Sequence, residues 1–276
     1  MMTTIREARG VQALAYSFER AQEQGHCAFI PYIPLGYPTP ADTLELIPAL
    51  QAGGADIIEL GVPFSDPVAD GPTIQEASQV ALRAGMTPAT CLDLVAGLRQ
   101  EGRVSVPLLL MGYYNPIHSY GMEEYVRDCA QAGVDGFIVP DLPPEEAGPL
   151  QEACQEKGMA LVFLVAPTTQ AERIATIADT TRGFLYVVSR LGITGTERSP
   201  ETSLISRLDQ IRPYAKTPIV VGFGISAPEQ ARGLAPYVDG VVVGSAIVRR
   251  ATEGAGAVRD FVASFRPALA KETPSP

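Results

Sequence analysis

The segment that most strongly constrains the fold is residues 57–72, which reads Ile-Ile-Glu-Leu-Gly-Val-Pro-Phe-Ser-Asp-Pro-Val-Ala-Asp-Gly-Pro. Its first half is an apolar run typical of a buried strand, interrupted by one carboxylate, Glu59. Its second half is a loop that prolines stiffen, and this loop carries Asp66 and Asp70. A buried carboxylate is costly unless it is paired or protonated. An acid on a strand, followed by a second acid on a stiff loop, therefore indicates a functional site.

Outside this segment, short apolar runs alternate with stretches of helical periodicity. Each run is hydrophobic throughout rather than at every second residue, which is typical of parallel strands that helices cover on both faces. Eight strand–helix units within about 250 residues predict an α/β fold, a single closed (β/α)8 TIM barrel. The predicted strands are residues 27–33, 57–62, 106–111, 134–139, 160–165, 184–189, 218–223 and 238–243.

The two ends of the chain add to this barrel. Helical spacing predicts an extra N-terminal helix with the apolar positions Val11, Leu14, Phe18 and Ala21. No linker rich in Pro, Gly or Ser divides the chain, so we predict one domain over residues 1–270 and a disordered tail over residues 271–276. The alternative is a doubly wound open sheet, which is disfavoured because no Gly-x-Gly-x-x-Gly motif follows the first strand.

The composition argues against several classes of partner. The formal net charge is -10 and the chain has only three lysines, so it offers no basic stripe for nucleic acid or an anionic membrane. The four cysteines contain no Cys-x-x-Cys pair, which fits small buried side chains in a reducing compartment. The N-terminus lacks the apolar run of a signal peptide, and no apolar stretch is long enough to span a bilayer. We therefore expect a cytoplasmic protein.

Barrel enzymes carry their chemistry at the C-terminal ends of the strands, and the residues available there narrow the mechanism. The two histidines, His26 and His118, are far in sequence from other ligands at metal-binding spacing, so we expect them in surface or loop positions and expect no metal site. No lysine ends a predicted strand, which excludes a Schiff-base mechanism. Carboxylates and hydroxyls remain as candidates: Glu59, Asp70, Asp141, Tyr186 and Ser189.

Two glycine-rich turns follow the last two predicted strands, at residues 222–226 and 244–246. Glycine lets backbone N–H groups approach an anion closely, and the start of a helix favours negative charge. The corresponding loops of such barrels commonly bind phosphate. We predict a phosphate site here that is built from backbone amides, because no arginine is obviously placed to contribute.

Several motifs together resemble the tryptophan synthase α chain family. The most specific is Glu-Leu-Gly-Val-Pro-Phe-Ser-Asp-Pro-x-Ala-Asp-Gly-Pro, which begins at Glu59 and looks like the signature of that family. The resemblance covers nearly the whole chain, and its other motifs follow in the family's order at residues 29–33, 115–116, 139–143, 189–195 and 222–226.

The resemblance implies a lyase that cleaves indole-3-glycerol phosphate to indole and D-glyceraldehyde 3-phosphate, the α reaction of L-tryptophan biosynthesis. This retro-aldol cleavage would need neither a metal nor an organic cofactor. Glu59 would exchange protons with indole C3 and the side-chain hydroxyl, and its apolar strand should raise its pKa. Asp70 would accept the indole N–H and stabilise positive charge on the ring. The implied partner is a pyridoxal-phosphate β chain, in an α2β2 tetramer.

The resemblance also implies roles for residues that bind substrate. Tyr186 would position Glu59 or the substrate. The apolar slot for indole would be lined by Tyr32, Leu110, Ile138 and Phe223. The phosphate would be held by Gly195, Gly224, Gly244 and Ser245.

The resemblance also implies a lid and a surface for binding the partner. The polar loop at residues 190–202 would act as a lid, with Thr194 reaching Asp70 on closure. The contact surface for the β chain would include Asp66, Asn115 and Pro116.

Three other functions remain compatible with the barrel at this point. A phosphosugar isomerase would also use carboxylates and a phosphate site, and fold alone does not separate it from a lyase. A stand-alone lyase would release indole without a partner. A non-catalytic activating subunit would use its loops only for docking, but the retention of both Glu59 and Asp70 disfavours that reading.

Overall fold

The computed structural model describes residues 8–189, 200–222 and 224–271. Nine strands lie within these ranges: β1 (Ala28–Pro34), β2 (Ile58–Gly61), β3 (Leu108–Met111), β4 (Gly136–Ile138), β5 (Ala160–Val162), β6 (Leu164–Val165), β7 (Leu185–Val188), β8 (Ile219–Gly222) and β9 (Gly240–Val243). They form one sheet in the order β5-β4-β3-β2-β1-β9-β8-β7-β6, and each paired neighbour is parallel.

The two ends of this sheet meet, because β5 and β6 are separated along the chain by Phe163 alone. The sequence predicted one strand here, and the break has a local cause. The N–H of Phe163 donates to the Thr181 hydroxyl (3.1 Å), which donates in turn to the carbonyl of Phe184 (2.8 Å). A side chain thus replaces one rung of the backbone ladder, and the prediction of a closed eight-stranded barrel is confirmed.

Prolines in the first turn start many of the helices, where their missing N–H is not needed. The described helices are α1 (Gly10–Glu23), α2 (Pro40–Ala52), α3 (Pro72–Arg83), α4 (Pro88–Gln100), α5 (Tyr114–Tyr120), α6 (Met122–Ala132), α7 (Gly148–Glu156), α8 (Ala171–Thr180), α9 (Pro200–Ile211), α10 (Pro228–Leu234), α11 (Ser245–Ala251) and α12 (Ala255–Phe265). None of these has both the length and the apolar character needed to cross a membrane.

The structure departs from the predicted helices in two places. Helix α5 was not predicted, because only seven residues form it and apolar periodicity is weak over so short a length. The sequence also predicts a helical tail over residues 246–270, and in the structure this tail is broken at Gly254, whose φ of 92° is compatible with glycine but strained for other residues. At the end of the chain Lys271 contacts Asp239 (3.6 Å), and residues 272–276 of the predicted tail lie outside the described residues.

The extra N-terminal helix is confirmed, and it closes the N-terminal mouth of the barrel. Leu14 is fully buried in the same apolar cluster as Ala28 and Ala160, which begin β1 and β5. Phe18 packs edge-to-face on Phe184, just before β7, with ring centroids 5.9 Å apart. Burial of these side chains removes apolar surface from water, which is the main favourable term holding α1 in place.

Alternation along the strands separates two apolar layers. An inner layer fills the barrel and includes Leu109, Ile138, Val162, Val220 and Val242. An outer layer packs the strands against the helices and includes Ile58, Leu60, Leu108, Leu110 and Val221. Glu59 stands opposite Tyr32 and Leu109 in the strand register, so its side chain shares the inner face.

A buried ion pair fastens α1 to the barrel. Asp135, before β4, accepts hydrogen bonds from Arg99 Nη2 (2.8 Å), the N–H of Leu108 (2.9 Å) and the N–H of Gly10 (2.8 Å). Its side chain is fully buried and that of Arg99 is nearly so. One carboxylate therefore ties α4, β3 and α1 together.

Replacing this carboxylate should destabilise the protein strongly. Asp135→Ala leaves Arg99 buried without its counter-charge and two backbone N–H groups without an acceptor, so we expect the free energy of unfolding to fall by ~3–5 kcal/mol. Urea denaturation measures the loss. The matched control is Asp260→Ala, which removes an exposed carboxylate paired with Arg259 and should change stability little. Equal effects of the two substitutions would contradict the structural role of Asp135.

Candidate active site

A cavity of about 370 Å³ opens at the C-terminal ends of the strands. Its lining combines apolar and polar side chains: Tyr32, Glu59, Asp70, Gly71, Ile74, Met111, Tyr186, Gly224, Ile225, Ser226, Val242, Gly244, Ser245 and Arg249. A wider surface groove of about 720 Å³ lies beside α6 and α7, on the flank of the barrel, and its charged side chains are solvated. The barrel-end cavity is the candidate site, because it holds the buried acids.

Glu59 projects from β2 into this cavity and is 3% exposed. Its Oε2 atom has no hydrogen-bond partner among the described residues. Burial raises the pKa of Glu59 to about 8, and the nearby negative charge of Asp70 contributes in the same direction. The sequence-based expectation of a raised pKa is therefore confirmed, and at neutral pH most Glu59 side chains carry a proton.

Asp70 lies on the loop between β2 and α3 and is also buried. Backbone bonds shape this loop: the Asp70 N–H donates to the Pro67 carbonyl (3.1 Å), and the Gln75 amide donates to the Asp70 carbonyl (2.8 Å). Burial raises the pKa of Asp70 to about 6, while a hydrogen bond from Tyr113 opposes the rise. Asp70 is therefore mostly ionised at pH 7, where Glu59 is mostly protonated.

Two tyrosines lie beside Glu59, and the hydroxyl of each fits only because the neighbouring strand has a glycine there. The Tyr32 hydroxyl occupies the space that a side chain on Gly61 would need, and the Tyr186 hydroxyl does the same at Gly222. Burial, together with the charges of Glu59 and Asp70, raises both tyrosine pKa values well above the usual range. Both side chains thus remain neutral phenols at the rim of the acid pair.

The apolar residues that line the cavity differ in part from those predicted. Leu110 was predicted to line the slot, but it belongs to the outer layer behind the strand. Met111, the next residue, lines the cavity instead. The strand period explains the error: Leu109 is opposite Glu59 in register, so residues 109 and 111 share the inner face and residue 110 does not. Ile138, which was also predicted to line the slot, lies in the inner layer but is not among the residues that line the cavity.

The far end of the cavity is rich in glycine and hydroxyl groups. Gly224 and Ser226 follow β8, and Gly244 and Ser245 follow β9. Arg249, four residues after Ser245 on α11, also lines the cavity, although no arginine was expected there. One helical turn separates positions i and i+4, and this spacing could have revealed Arg249. Its guanidinium forms no ion pair with the described part of the chain.

The remaining predicted residues fall into three groups. Thr194, Gly195 and Phe223 lie outside the described residues. Asp141 and Ser189 bind backbone atoms: Asp141 accepts the N–H of Tyr114 (3.0 Å), and Ser189 donates to the Gly222 carbonyl (3.1 Å). Of the residues predicted to contact a partner, Asp66 is exposed on the loop after β2. Asn115, which is exposed, and Pro116, which is half-buried, lie in the first turn of α5, after β3.

The two histidines were expected in surface or loop positions. His118 is exposed, whereas His26 lies in the connection between α1 and β1 but is buried. His26 is 4% exposed, and its Nε2 atom lies 3.2 Å from Asp56 Oδ2 and 2.7 Å from Arg266 Nη1. No local sequence pattern indicates this contact, because Arg266 is 240 positions away along the chain. The cluster lies at the N-terminal ends of the strands, away from the cavity. Over the ranges that the structure describes, no three His, Cys, Asp or Glu side chains converge as a metal site requires.

The fold and the site together define a class of protein. Two buried carboxyl groups with pKa values on either side of neutrality share one cavity at the C-terminal end of a (β/α)8 barrel, beside a glycine-rich and cationic end. Such an arrangement is that of a barrel enzyme using acid–base chemistry on a small, partly apolar substrate.

Comparison with known proteins gives the family. The sequence profile of the family described as "Tryptophan synthase alpha chain" matches residues 18–270. The α chain of a Roseiflexus species is 47% identical over 92% of this chain and 98% of its own length, and that of Dehalococcoides mccartyi is 49% identical over 80% and 86%. This chain belongs to the tryptophan synthase α chain family.

Solved structures agree with this assignment. Tryptophan synthase from Mycobacterium tuberculosis superimposes with a TM-score of 0.85 at 35% identity, covering 93% of this chain and 98% of that one. The α subunit from Legionella pneumophila gives 0.84 at 34% identity, with the same shares covered. The fold predicted from the sequence and the family named from its motifs are both confirmed.

The buried Glu59 carboxyl group should make the free energy of unfolding depend on pH, and a glutamine amide at the same position should not. Because the folded state raises the pKa of Glu59 from 4.5 to about 8, its contribution to stability is fully present below the lower value and is lost as pH rises through the higher one. The loss is about 1.4 kcal/mol for each pH unit between them. The glutamine of the Glu59→Gln variant does not titrate, so this variant does not lose that stability as pH rises.

We therefore expect the Glu59→Gln variant to gain stability relative to the parent as pH rises from 5 to 9. Urea denaturation of both proteins at several pH values measures the difference, in which the other titrating groups cancel. Parallel stability curves over that range would contradict a raised pKa at Glu59.

Proposed function

We propose that Glu59 and Asp70 are the catalytic pair of the family's lyase reaction, cleavage of indole-3-glycerol phosphate to indole and D-glyceraldehyde 3-phosphate. The observation that carries this proposal is that the two buried acids line one cavity and differ in protonation at neutral pH, where Glu59 is mostly protonated and Asp70 mostly ionised. A protonated carboxyl group can donate to the ring while an ionised one stabilises the positive charge that results. The phosphosugar isomerase considered from the sequence finds no support in the family assignment.

The reaction proceeds through one proton exchange in this proposal. Glu59 delivers its proton to C3 of the indole ring, and Asp70 accepts a hydrogen bond from the ring N–H as positive charge develops. The Glu59 carboxylate then takes the proton of the hydroxyl on the carbon attached to C3. The bond between that carbon and C3 breaks, its electron pair returns to the ring, and the aldehyde forms. Glu59 ends protonated, so the cycle needs neither an oxidant nor a water molecule.

The apolar and polar ends of the cavity fit the two ends of this substrate. Tyr32, Met111, Ile74 and Val242 provide the apolar surface for the indole, and Tyr186 positions Glu59 or the substrate. Gly224, Gly244 and Ser245 offer the phosphate site, and Arg249 adds the positive charge that backbone amides lack. Gly195 and Phe223 keep their predicted roles as further phosphate and indole contacts, and no organic cofactor takes part.

A β chain is the proposed partner, in an α2β2 assembly with pyridoxal phosphate on the β chain only. The exposed residues Asp66 and Asn115, with Pro116 beside them, form the proposed contact surface. Asp66 shares its loop with Asp70, and Asn115 and Pro116 lie at the start of α5, next to Tyr113, so docking can act on the acid. Thr194 is proposed to reach Asp70 as part of the lid predicted over residues 190–202, of which residues 200–202 belong to α9 in the structure. The protein is proposed to act in the cytoplasm.

The acid pair is tested by isosteric amides. Glu59→Gln and Asp70→Asn should each lower kcat for indole release by on the order of 10²–10⁴, because each removes a proton donor or a charge at the ring. In the parent, kcat/KM should follow a bell-shaped pH profile with limbs near the pKa values of Asp70, about 6, and Glu59, about 8.

Indole release is followed by absorbance, with and without a β chain, and circular dichroism confirms folding. An active Glu59→Gln enzyme would remove Glu59 from the mechanism. A parent that releases no indole under either condition would refute the proposed reaction itself.

Removal of the positive charge of Arg249 tests the phosphate site. Arg249→Gln should raise KM for indole-3-glycerol phosphate about tenfold or more while changing kcat little, because the phosphate keeps its charge through the reaction. The matched control is Arg250→Gln, since Arg250 is adjacent but pairs with Glu253 (3.1 Å) and lies over Phe261. If both variants show the same KM, the phosphate lies elsewhere.

A further inference from the structure

We propose that Tyr113 is a positioning residue for Asp70: its hydroxyl holds the acid loop, residues 62–71, so that the Asp70 carboxyl faces the cavity. This inference rests on the proposed function, because it assigns Tyr113 a part in the same reaction. Neither the sequence motifs nor the proton exchange described above uses this side chain.

Tyr113 contacts the acid loop at two separate points. Its ring lies against Phe64 near the start of the loop, with centroids 5.3 Å apart. Its hydroxyl accepts the N–H of Ala69, at 3.0 Å, near the end of the loop. Tyr113 is 2% exposed, so the covered ring also contributes buried apolar area. A single side chain from outside the loop thus spans it from one end to the other.

The second contact leaves the phenolic proton available. A tyrosine hydroxyl has one proton to donate and can accept at its lone pairs. Since the N–H of Ala69 occupies an acceptor position, the proton can be donated to the carboxyl of the next residue, Asp70. The Tyr113 hydroxyl thereby lowers the pKa of Asp70 against the effect of burial. The Oδ1 atom of Asp70 has no protein partner in the described ranges, which leaves it for a substrate N–H.

The position of Tyr113 is fixed by the barrel rather than by the loop. Tyr113 follows the end of β3 and immediately precedes α5. The next N–H in the chain, that of Tyr114, donates to both carboxylate oxygens of Asp141 (3.0 and 3.3 Å). Asp141, a candidate catalytic acid from the sequence, therefore anchors the backbone that presents Tyr113. These contacts connect the acid loop to the end of β3, so the carboxyl group of Asp70 is positioned as firmly as one on a strand.

Ionisable groups face Asp70 from several elements. Glu59 approaches from β2, Tyr32 from β1 and Tyr186 from β7, and the effect of Asp70 on each is to raise its pKa. The Tyr113 hydroxyl acts in the opposite direction on Asp70 itself, because it donates to the ionised form. Without this donor the pKa of Asp70 should rise above about 6, so a smaller fraction would be ionised near neutral pH.

The test is Tyr113→Phe, which keeps the ring against Phe64 and removes only the hydroxyl. We expect kcat/KM for indole-3-glycerol phosphate to fall about tenfold at pH 6.5 and the acidic limb of its pH profile to move up by roughly 0.5–1 pH unit. The control is Tyr114→Phe, because Tyr114 is the neighbouring tyrosine and packs on His118 away from the acid loop. It should keep the parent's rate and profile.

A double substitution shows whether Tyr113 acts through Asp70. In the Asp70→Asn background there is no carboxyl group to position or ionise, so adding Tyr113→Phe should change the remaining rate less than about twofold. All variants are assayed as the full chain with the β chain present, and circular dichroism and thermal unfolding report folding.

The outcomes separate the inference from the proposed function. If the parent releases indole but Tyr113→Phe matches it in rate and pH profile, the inference is overturned and the function stands. A slower Tyr113→Phe enzyme with an unmoved acidic limb, or with the same loss in the Asp70→Asn background, also overturns it, because the residue would then be merely structural. If the parent releases no indole, the proposed function fails before Tyr113 is tested.

Discussion

Burial of the Glu59 carboxyl group inside an apolar barrel is the constraint to which the surrounding structure is fitted. A carboxylate removed from water is unfavourable by several kcal/mol, and protonation is its least costly relief. The raised pKa of about 8 expresses that relief, and it also makes the group a proton donor at neutral pH. The neighbouring phenols of Tyr32 and Tyr186 add polarity without adding charge. Burying Glu59 in the inner layer thus lowers the stability of the fold but leaves the carboxyl group protonated and able to donate at neutral pH.

Asp70 experiences the same apolar surroundings but receives different support. It is on a loop, so its placement depends on contacts made from outside that loop, and its pKa of about 6 reflects burial opposed by a phenolic donor. Two carboxyl groups in one cavity are thereby given different protonation states by their neighbours. The same separation of environments explains why each needs its own supporting residues.

Much of this could be predicted from the sequence, because continuous apolar runs identify parallel strands and the long motif from Glu59 is highly specific. The errors arise where one side chain decides a local detail. Thr181 divides the strand predicted over residues 160–165 by accepting one backbone N–H. The apolar run around Leu110 does not by itself show which residues face the barrel interior; the register of Leu109 with Glu59 shows that Met111 faces it and Leu110 does not. His26 is buried by a partner distant in sequence, and no local pattern indicates such a contact.

Because α1 closes the N-terminal mouth of the barrel, it limits where substrate can enter and products can leave. With Leu14 and Phe18 sealing one end, and the inner layer of Leu109, Val162 and Val220 filling the middle, the cavity communicates with solvent at the C-terminal ends of the strands. Substrate, indole and triose phosphate then pass through this opening, beside the loop that carries Asp66 and the helix that carries Asn115. A protein docked over that opening would receive indole directly, so the sealed floor of the barrel sets the direction in which the product leaves.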